Sequence, residues 1–225
     1  PREAAGGGPV TAIALSDVVY RYSRGGFTLR CPALELAPGE LTLITGPNGS
    51  GKTTLSKLMC GILRPQEGQV RIFGHPAEEL SLGEIGGRVG YLFQNPSRQL
   101  FASTVWQEML FVPELLGEDL PRACGRAQEL LVRFGLGELK ERPVQVLSRG
   151  EKQRLAICTM LMGGAEFFIL DEPTAGLDRT SREQLYRLLD ELLAQGKGLA
   201  VISHSQELAS RWRARRVRLA EGRVV

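Results

Sequence analysis

Hydrophobic positions along this chain change period in blocks, and each block predicts an element. Ile13 to Tyr22 alternates apolar with polar residues and is rich in β-branched side chains and tyrosine; Phe27 to Leu36 alternates again after Gly25 and Gly26. Two half-buried strands, paired with each other, are the expected outcome. Leu41 to Thr45 is an apolar strand that runs into a glycine-rich turn. Beyond that turn Leu55, Leu58, Met59 and Ile62 recur at helical spacing, with Gly61 and Pro65 as stops. Gln69 to Phe73 and Val89 to Phe93 read as further strands, the second stopping at Gln94. His75, beside Pro76, is expected in a surface turn.

From Gln94 the pattern becomes helical. Residues 94–101 form a polar loop, kept extended by Pro96, that ends in the apolar pair Leu100 and Phe101 and leads to a short helix through Trp106 and Met109. That pair could face a partner or the core. Pro121 stands at the favoured first position of another helix, striped by Ala123, Ala127, Leu130, Leu131 and Phe134 and stopped by Gly135. Ser148 followed by Glu151 has the spacing of a capping box, and opens a helix whose Leu155, Ile157, Met160 and Leu161 face inward. Phe167 to Leu170 is an unbroken apolar run, as in a strand buried on both faces. Leu185, Leu188, Leu189, Leu192 and Leu193 stripe a helix from Arg179 to Gly196, Leu199 to Ser203 is a buried strand, and Val217 to Leu219 a final one.

The glycine-rich turn from Gly46 to Gly51-Lys52-Thr53 has the spacing of a P-loop, so the expected fold class is α/β: a P-loop NTPase core of mainly parallel sheet, with an N-terminal antiparallel β part and an inserted helical subdomain. Residues 1–10 are expected as a flexible tail, 11–93 and 144–225 as the core, and 94–143 as the helical subdomain, with residues 147–153 at its return to the core.

Candidate chemistry concentrates at two strand ends. Gly46, Pro47, Asn48, Gly49, Ser50, Gly51, Lys52, Thr53 and Thr54 have the spacing of a phosphate cradle, in which glycines turn successive N–H groups inward and the following helix adds its positive dipole end. Lys52 is then expected on the β and γ phosphates and the Thr53 hydroxyl on magnesium. The run through Leu170 delivers Asp171 and Glu172 to the same end of the sheet. Asp171 is expected to bind Mg2+, directly or through water, and Glu172 to take a proton from an attacking water.

Composition narrows the setting. With 225 residues, 43% hydrophobic content and a net charge of +3, the chain can bury a sizeable core and has no polyelectrolyte bias. Cys31, Cys60, Cys124 and Cys158 are scattered singly among only two histidines, which suggests neither a disulfide frame nor a zinc site. No apolar run approaches the roughly 18 to 20 residues that span a bilayer, so a membrane role is expected to be peripheral. Arg211, Arg213, Arg215 and Arg216 around Trp212 read as a solvated face, and no nucleic-acid partner is expected.

Taken together, Gly46 to Thr54, Gln94, Leu147 to Gln153, Leu170 to Asp178, and Ile202-Ser203-His204 resemble, in order and separation, the ATP-binding subunits of ABC transporters. The resemblance covers nearly everything from Ile13 to Val225. It implies ATP as substrate, with Gln94 meeting magnesium and water and His204 against the γ-phosphate. Ser148, Arg149, Gly150 and Glu151 would lie at the signature that contacts nucleotide held by a second, identical or related ATPase subunit. Asp178 would mark the D-loop. Tyr22 occupies the position of an adenine-stacking aromatic, although a strand tyrosine can equally be packing. The helical subdomain would contact an integral membrane subunit, at the cytoplasmic face of the membrane.

Phe93 to Pro96 followed by Gln99-Leu100-Phe101 is similar to energy-coupling factor importers, which carry vitamins or transition-metal ions. Arg149 and Glu151 depart from the usual glycine and glutamine of the signature, and are expected to act as a compensating pair of charges towards the opposing phosphate. Other classes fit less well. A repair or chromosome-organising ATPase would separate Lys52 from Asp171 by a long coiled coil, whereas they lie about 120 residues apart. A translation ATPase would carry a second cassette. The only asparagines are Asn48 and Asn95, so no Asn-Lys-x-Asp guanine-reading element exists. Glu172 and His204 argue against a module that binds ATP without turnover.

Overall fold

The computed structural model describes residues 11–23, 26–212 and 214–225, so the expected tail, Gly25 and Arg213 lie outside the described residues. In chain order the elements are β1 (Ile13–Arg21), β2 (Thr28–Leu36), β3 (Leu41–Thr45), α1 (Lys52–Met59), β4 (Glu67–Ile72), β5 (His75–Pro76), α2 (Leu82–Gly86), β6 (Val89–Leu92), α3 (Val105–Leu115), α4 (Leu120–Arg133), α5 (Arg149–Met162), β7 (Phe167–Asp171), α6 (Arg179–Ala194), β8 (Gly198–Ile202), α7 (Gln206–Arg211), β9 (Arg215–Ala220) and β10 (Arg223–Val224). The strands form one sheet in the order β5-β4-β1-β2-β10-β9-β3-β8-β7-β6.

That sheet has two characters. Strands β9, β3, β8, β7 and β6 run parallel, whereas β1 pairs antiparallel with both β2 and β4. Parallel strands covered by helices on both faces must be apolar throughout, and every residue of β7 and β8 is buried. Their side chains alternate between two cores: Phe168, Leu170, Leu199 and Val201 join the one beneath the helices, while Phe167, Ile169, Ala200 and Ile202 join the one shared with α1 and the antiparallel strands.

Several elements differ from the pattern-based expectation, each for a local reason. Ile62 does not continue the stripe of α1: Gly61 turns with φ 68, and Ile62 emerges 46% exposed. His75 is exposed but pairs with Ile72 in a two-residue strand. Pro96 does not hold its loop extended; it opens a 3-10 turn over Pro96–Arg98, with the Asn95 side chain accepting the Ser97 N–H at 3.1 Å. The helix through Trp106 and Met109 runs on to Leu115 despite Pro113, and is opened by a Thr104–Gln107 capping box. After β9, Glu221 and Gly222 both take positive φ, 47° and 74°, the geometry of a two-residue hairpin turn, which adds β10. The basic cluster is solvated as expected, with Arg211, Arg215 and Arg216 exposed, while Arg211 also pairs with Asp190 at 2.8 Å and its guanidinium lies over the Tyr186 and Trp212 rings.

α5, beyond residue 143, supplies the surface on which both α3 and α4 pack. Ala123, Ala127 and Leu131 of α4 are fully buried there. The turn that leads into α3 is held by Glu108, a buried carboxylate that accepts the N–H groups of Phe101 at 2.8 Å and Ala102 at 2.7 Å. Leu100 and Phe101 part company around this clamp. Leu100 enters the core at 8% exposure; Phe101 stays 62% exposed, edge-on to Phe111 with ring centroids 4.5 Å apart. We therefore expect Leu100→Asp to destabilise by about 3 kcal/mol or more, lowering Tm by roughly 6 °C, and Phe101→Asp to stay within about 1 kcal/mol. Thermal melts of the two variants check this, and equal losses would place both side chains in the core.

Candidate functional site

The cleft is built where β3, β7 and β8 end. Ile44 pairs with Ile202, and Ile202 pairs with Asp171, so these three strands stop at one level. After β3 the chain must turn sharply past β9. Gly46 does so with φ 152, and a Cβ there would sit 2.3 Å from the Leu219 carbonyl oxygen. Gly51 precedes α1 at φ 104, where a Cβ would fall 2.7 Å from Leu29. Only glycine follows this path. No side chain caps α1, so its first N–H groups open towards the loop, the arrangement that favours an anion. The Lys52 ammonium donates to the carbonyls of Gly46 at 2.7 Å and Pro47 at 2.9 Å, which holds it across the turn. The Ser50 hydroxyl is buried without a hydrogen-bond partner among the described residues.

A cavity of about 680 Å³ lies over this loop. Its floor is Asn48, Gly49, Gly51, Lys52, Thr53 and Thr54; its far wall is Gln94, Asp171, Glu172 and His204. Tyr22 stands at one end, 37% exposed, its hydroxyl 3.4 Å from Thr54 Oγ1 and its ring beside Phe27. Asp171 is buried, and that burial pushes its carboxyl above the usual range, against the opposing pull of Tyr91, Lys52, Lys57 and Thr53. The Tyr91 hydroxyl donates to Asp171 Oδ2 at 3.4 Å and meets Ser56 at 3.1 Å.

Glu172 has φ 47, an uncommon conformation for a residue with a side chain. It is held there because its N–H donates to the Ile202 carbonyl at 2.9 Å. Its carboxylate lies 3.7 Å from His204 Nε2 and accepts the Ser203 hydroxyl at 3.3 Å.

A second cavity, of about 800 Å³, shares Thr53, Gln94 and Asp171 with the first and extends to Arg98, Arg149 and Lys152. The remaining signature residues line neither cavity. Ser148 caps α5, accepting the Glu151 N–H at 3.3 Å while Glu151 Oε2 accepts the Ser148 N–H at 2.7 Å. Gly150 is buried against α6, where a Cβ would meet Ser181 at 2.8 Å. Asp178 caps α6 by accepting the Ser181 N–H at 2.7 Å, and this bonding holds its carboxyl below the usual range. Sequence reasoning missed Phe27, Tyr91 and Ser203. Tyr91 sits two positions before the expected strand end at Phe93, and Ser203 closes the expected strand from Leu199, which was the available signal.

This fold is that of the P-loop nucleoside triphosphatases. Residues 29–175 match the family model for the ABC transporter, and the chain belongs to that family. It is 37% identical to the energy-coupling factor transporter ATP-binding protein EcfA2 of Methanospirillum hungatei, over 95% of this chain and 54% of that protein. It thus spans about half the length of that relative. It is also 37% identical to EcfA1 of Thermotoga maritima, over 87% of this chain and 73% of the relative, and to the cobalt import ATP-binding protein CbiO of Rhodobacter capsulatus, over 95% and 77%. Among solved structures, cbiO1 from Clostridium perfringens, part of the ABC transporter complex cbiONQ, superposes with a TM-score of 0.87 at 30% identity, covering 96% of this chain and 87% of that one. A dimeric post-hydrolysis state of the cassette MJ0796, bound to ADP and Pi, superposes with 0.79 at 26% identity, over 94% and 96%.

The Gly150–Ser181 contact is testable apart from any nucleotide. Gly150→Ala should destabilise by about 1 to 3 kcal/mol through overpacking, and adding Ser181→Gly should return most of that loss. Chemical denaturation of the two single variants and the double variant measures the coupling; simple additivity would refute the contact.

Proposed function

We propose that this chain binds and hydrolyses ATP as one of two ATPase subunits of an importer of the energy-coupling factor type, carrying a vitamin or a transition-metal ion. The observation that carries the reading is a single cavity that gathers Lys52, Thr53, Gln94, Asp171, Glu172 and His204 over the uncapped start of α1. The names of the relatives support the transport class.

In this reading the phosphates draw Lys52 from the Gly46 and Pro47 carbonyls and take backbone N–H groups of the turn between Asn48 and Thr54, while Tyr22 stacks on the adenine. Thr53, Gln94 and Asp171 offer oxygen donors only, which fit Mg2+. Bound there, the ion would offset phosphate charge. Glu172, fixed by its backbone bond to Ile202, accepts a proton from the attacking water, and His204 faces the γ-phosphate from the same wall.

Ser148, Gly150 and Glu151 serve the nucleotide of the second subunit, a role supported by their position outside this chain's own cleft. Asp178 and its turn belong to the same interface. The helical subdomain, 94–143, meets an integral membrane subunit. An apolar groove of about 460 Å³ between it and the core, bordered by the exposed Ile62, Leu82, Leu115 and Leu116, suits that contact. No helix among the described residues is long and apolar enough to cross a membrane, which accords with a peripheral position at its cytoplasmic face.

Lys52→Ala is expected to abolish ATP binding. Glu172→Gln should retain binding and slow hydrolysis by a factor on the order of 10² or more. Nucleotide titration together with single-turnover hydrolysis checks both, and a Glu172→Gln protein that turns over at the wild-type rate would exclude the proposed base. Leu115→Arg should leave melting unchanged within about 0.5 kcal/mol but weaken assembly with the membrane subunits at least tenfold. Co-purification of the reconstituted complex reads that loss.

A further inference from the structure

We propose that Arg149 is a positioning residue that ties the Gln94 loop to the N-terminus of α5 within one subunit. Arg149 is the first residue of α5, and its Nη2 donates to the Gln94 carbonyl oxygen at 2.7 Å. Among the described residues it has no carboxylate partner within ion-pair distance. Its guanidinium also lies against Gly176, where a Cβ would come within 3.5 Å of Nη1. Gly176 has φ 71 and sits two residues before Asp178. Arg149 thus joins the start of α5 to the loop after β6 and lies near the turn ahead of α6.

The neighbouring charges do not compete for it. Glu151 folds back on the Ser148 N–H, so within this chain Arg149 and Glu151 are engaged separately. Lys152 donates to the Gln145 carbonyl at 2.9 Å. Arg149 is thus left to hold a backbone carbonyl with a charged donor, the stronger kind of hydrogen bond. Lysine could keep one such bond; the glycine usual at this position could keep none.

The consequence concerns Gln94, whose residue borders both cavities. Fixing its carbonyl fixes the backbone root of a residue that lines both cavities together with Thr53 and Asp171. α5 is a continuous helix of 14 residues, roughly 21 Å long, seated against α3 and α4. A displacement of Gln94 is then passed to the signature end of α5 in the same subunit, rather than absorbed by the loop. This consequence rests on the roles proposed above for Gln94 and Ser148; the tie itself does not.

The test uses Arg149→Met, which keeps bulk but cannot donate, and Arg149→Lys. In the nucleotide-free chain, hydrogen exchange at residues 95–99 should be about fivefold faster in Arg149→Met, with exchange in α1 and α6 unchanged, and Arg149→Lys should restore most of the protection. In the assembled transporter, Arg149→Met should lower kcat about tenfold with KM for ATP within twofold of wild type, again with recovery in Arg149→Lys. Unchanged exchange at 95–99, or equal acceleration throughout the chain, would overturn the tie whether or not ATP is hydrolysed. A KM that rises while kcat holds would assign Arg149 to nucleotide binding and overturn its positioning role. Loss of hydrolysis in the wild type itself would count against the proposed function and leave the exchange result to stand or fall alone.

Discussion

The site depends on the register of three parallel strands around Ile202. That residue pairs with Ile44 on one side and Asp171 on the other, which puts the exits of β3, β7 and β8 at the same height. From those exits come the glycine loop, Glu172 and His204. A slip of even one residue in β7 would exchange its two faces, sending Phe168 and Leu170 into the opposite core. It would also move Asp171 out of line with Thr53. The cores therefore enforce the register, because both faces of β7 are apolar and closely covered.

Charge is the second constraint. Asp171 and Glu172 stand side by side at the cavity, and positive ends and donors lie close by: the Lys52 ammonium, the uncapped start of α1 and the hydroxyls of Tyr91 and Ser203. Lys52 donates to two loop carbonyls rather than to either acid. It is thereby kept over the turn, where phosphate would meet it. Glu172 is turned by its positive φ to the cavity side of the strand end, a conformation that the Ile202 bond sustains.

The helical part serves a different end. Gly150 brings α5 against α6, Glu108 clamps the turn into α3, and Arg149 reaches the loop after β6. The capping residues Ser148 and Asp178 are placed by the same contacts, since each N-cap fixes where its helix begins. Capping does not exhaust these residues. The Ser148 hydroxyl that accepts the Glu151 N–H remains exposed and retains a proton to donate.

By itself the sequence determined whatever is local in chain and periodic in pattern. Strand β7 and its two acids follow from an unbroken apolar run. The glycine loop follows from spacing, α4 from a stripe with Pro121 and Gly135 as its ends, and the fold class from the order of these blocks. Only the tertiary structure decided matters that require distant segments to meet. Leu100 and Phe101 are adjacent and equally apolar, yet one is core and the other surface, because Glu108, seven residues from Phe101, fixes the turn between them. Ile62 matches the period of α1 but follows a glycine that leaves the helix. Arg149 and Glu151 lie two apart on one helical turn and point to different partners, one to a capping N–H and one to a carbonyl 55 residues away. Periodicity records which face a residue occupies within its own element. Which carbonyl, ring or carboxylate waits opposite is set by packing, and this chain's pattern carries no trace of it.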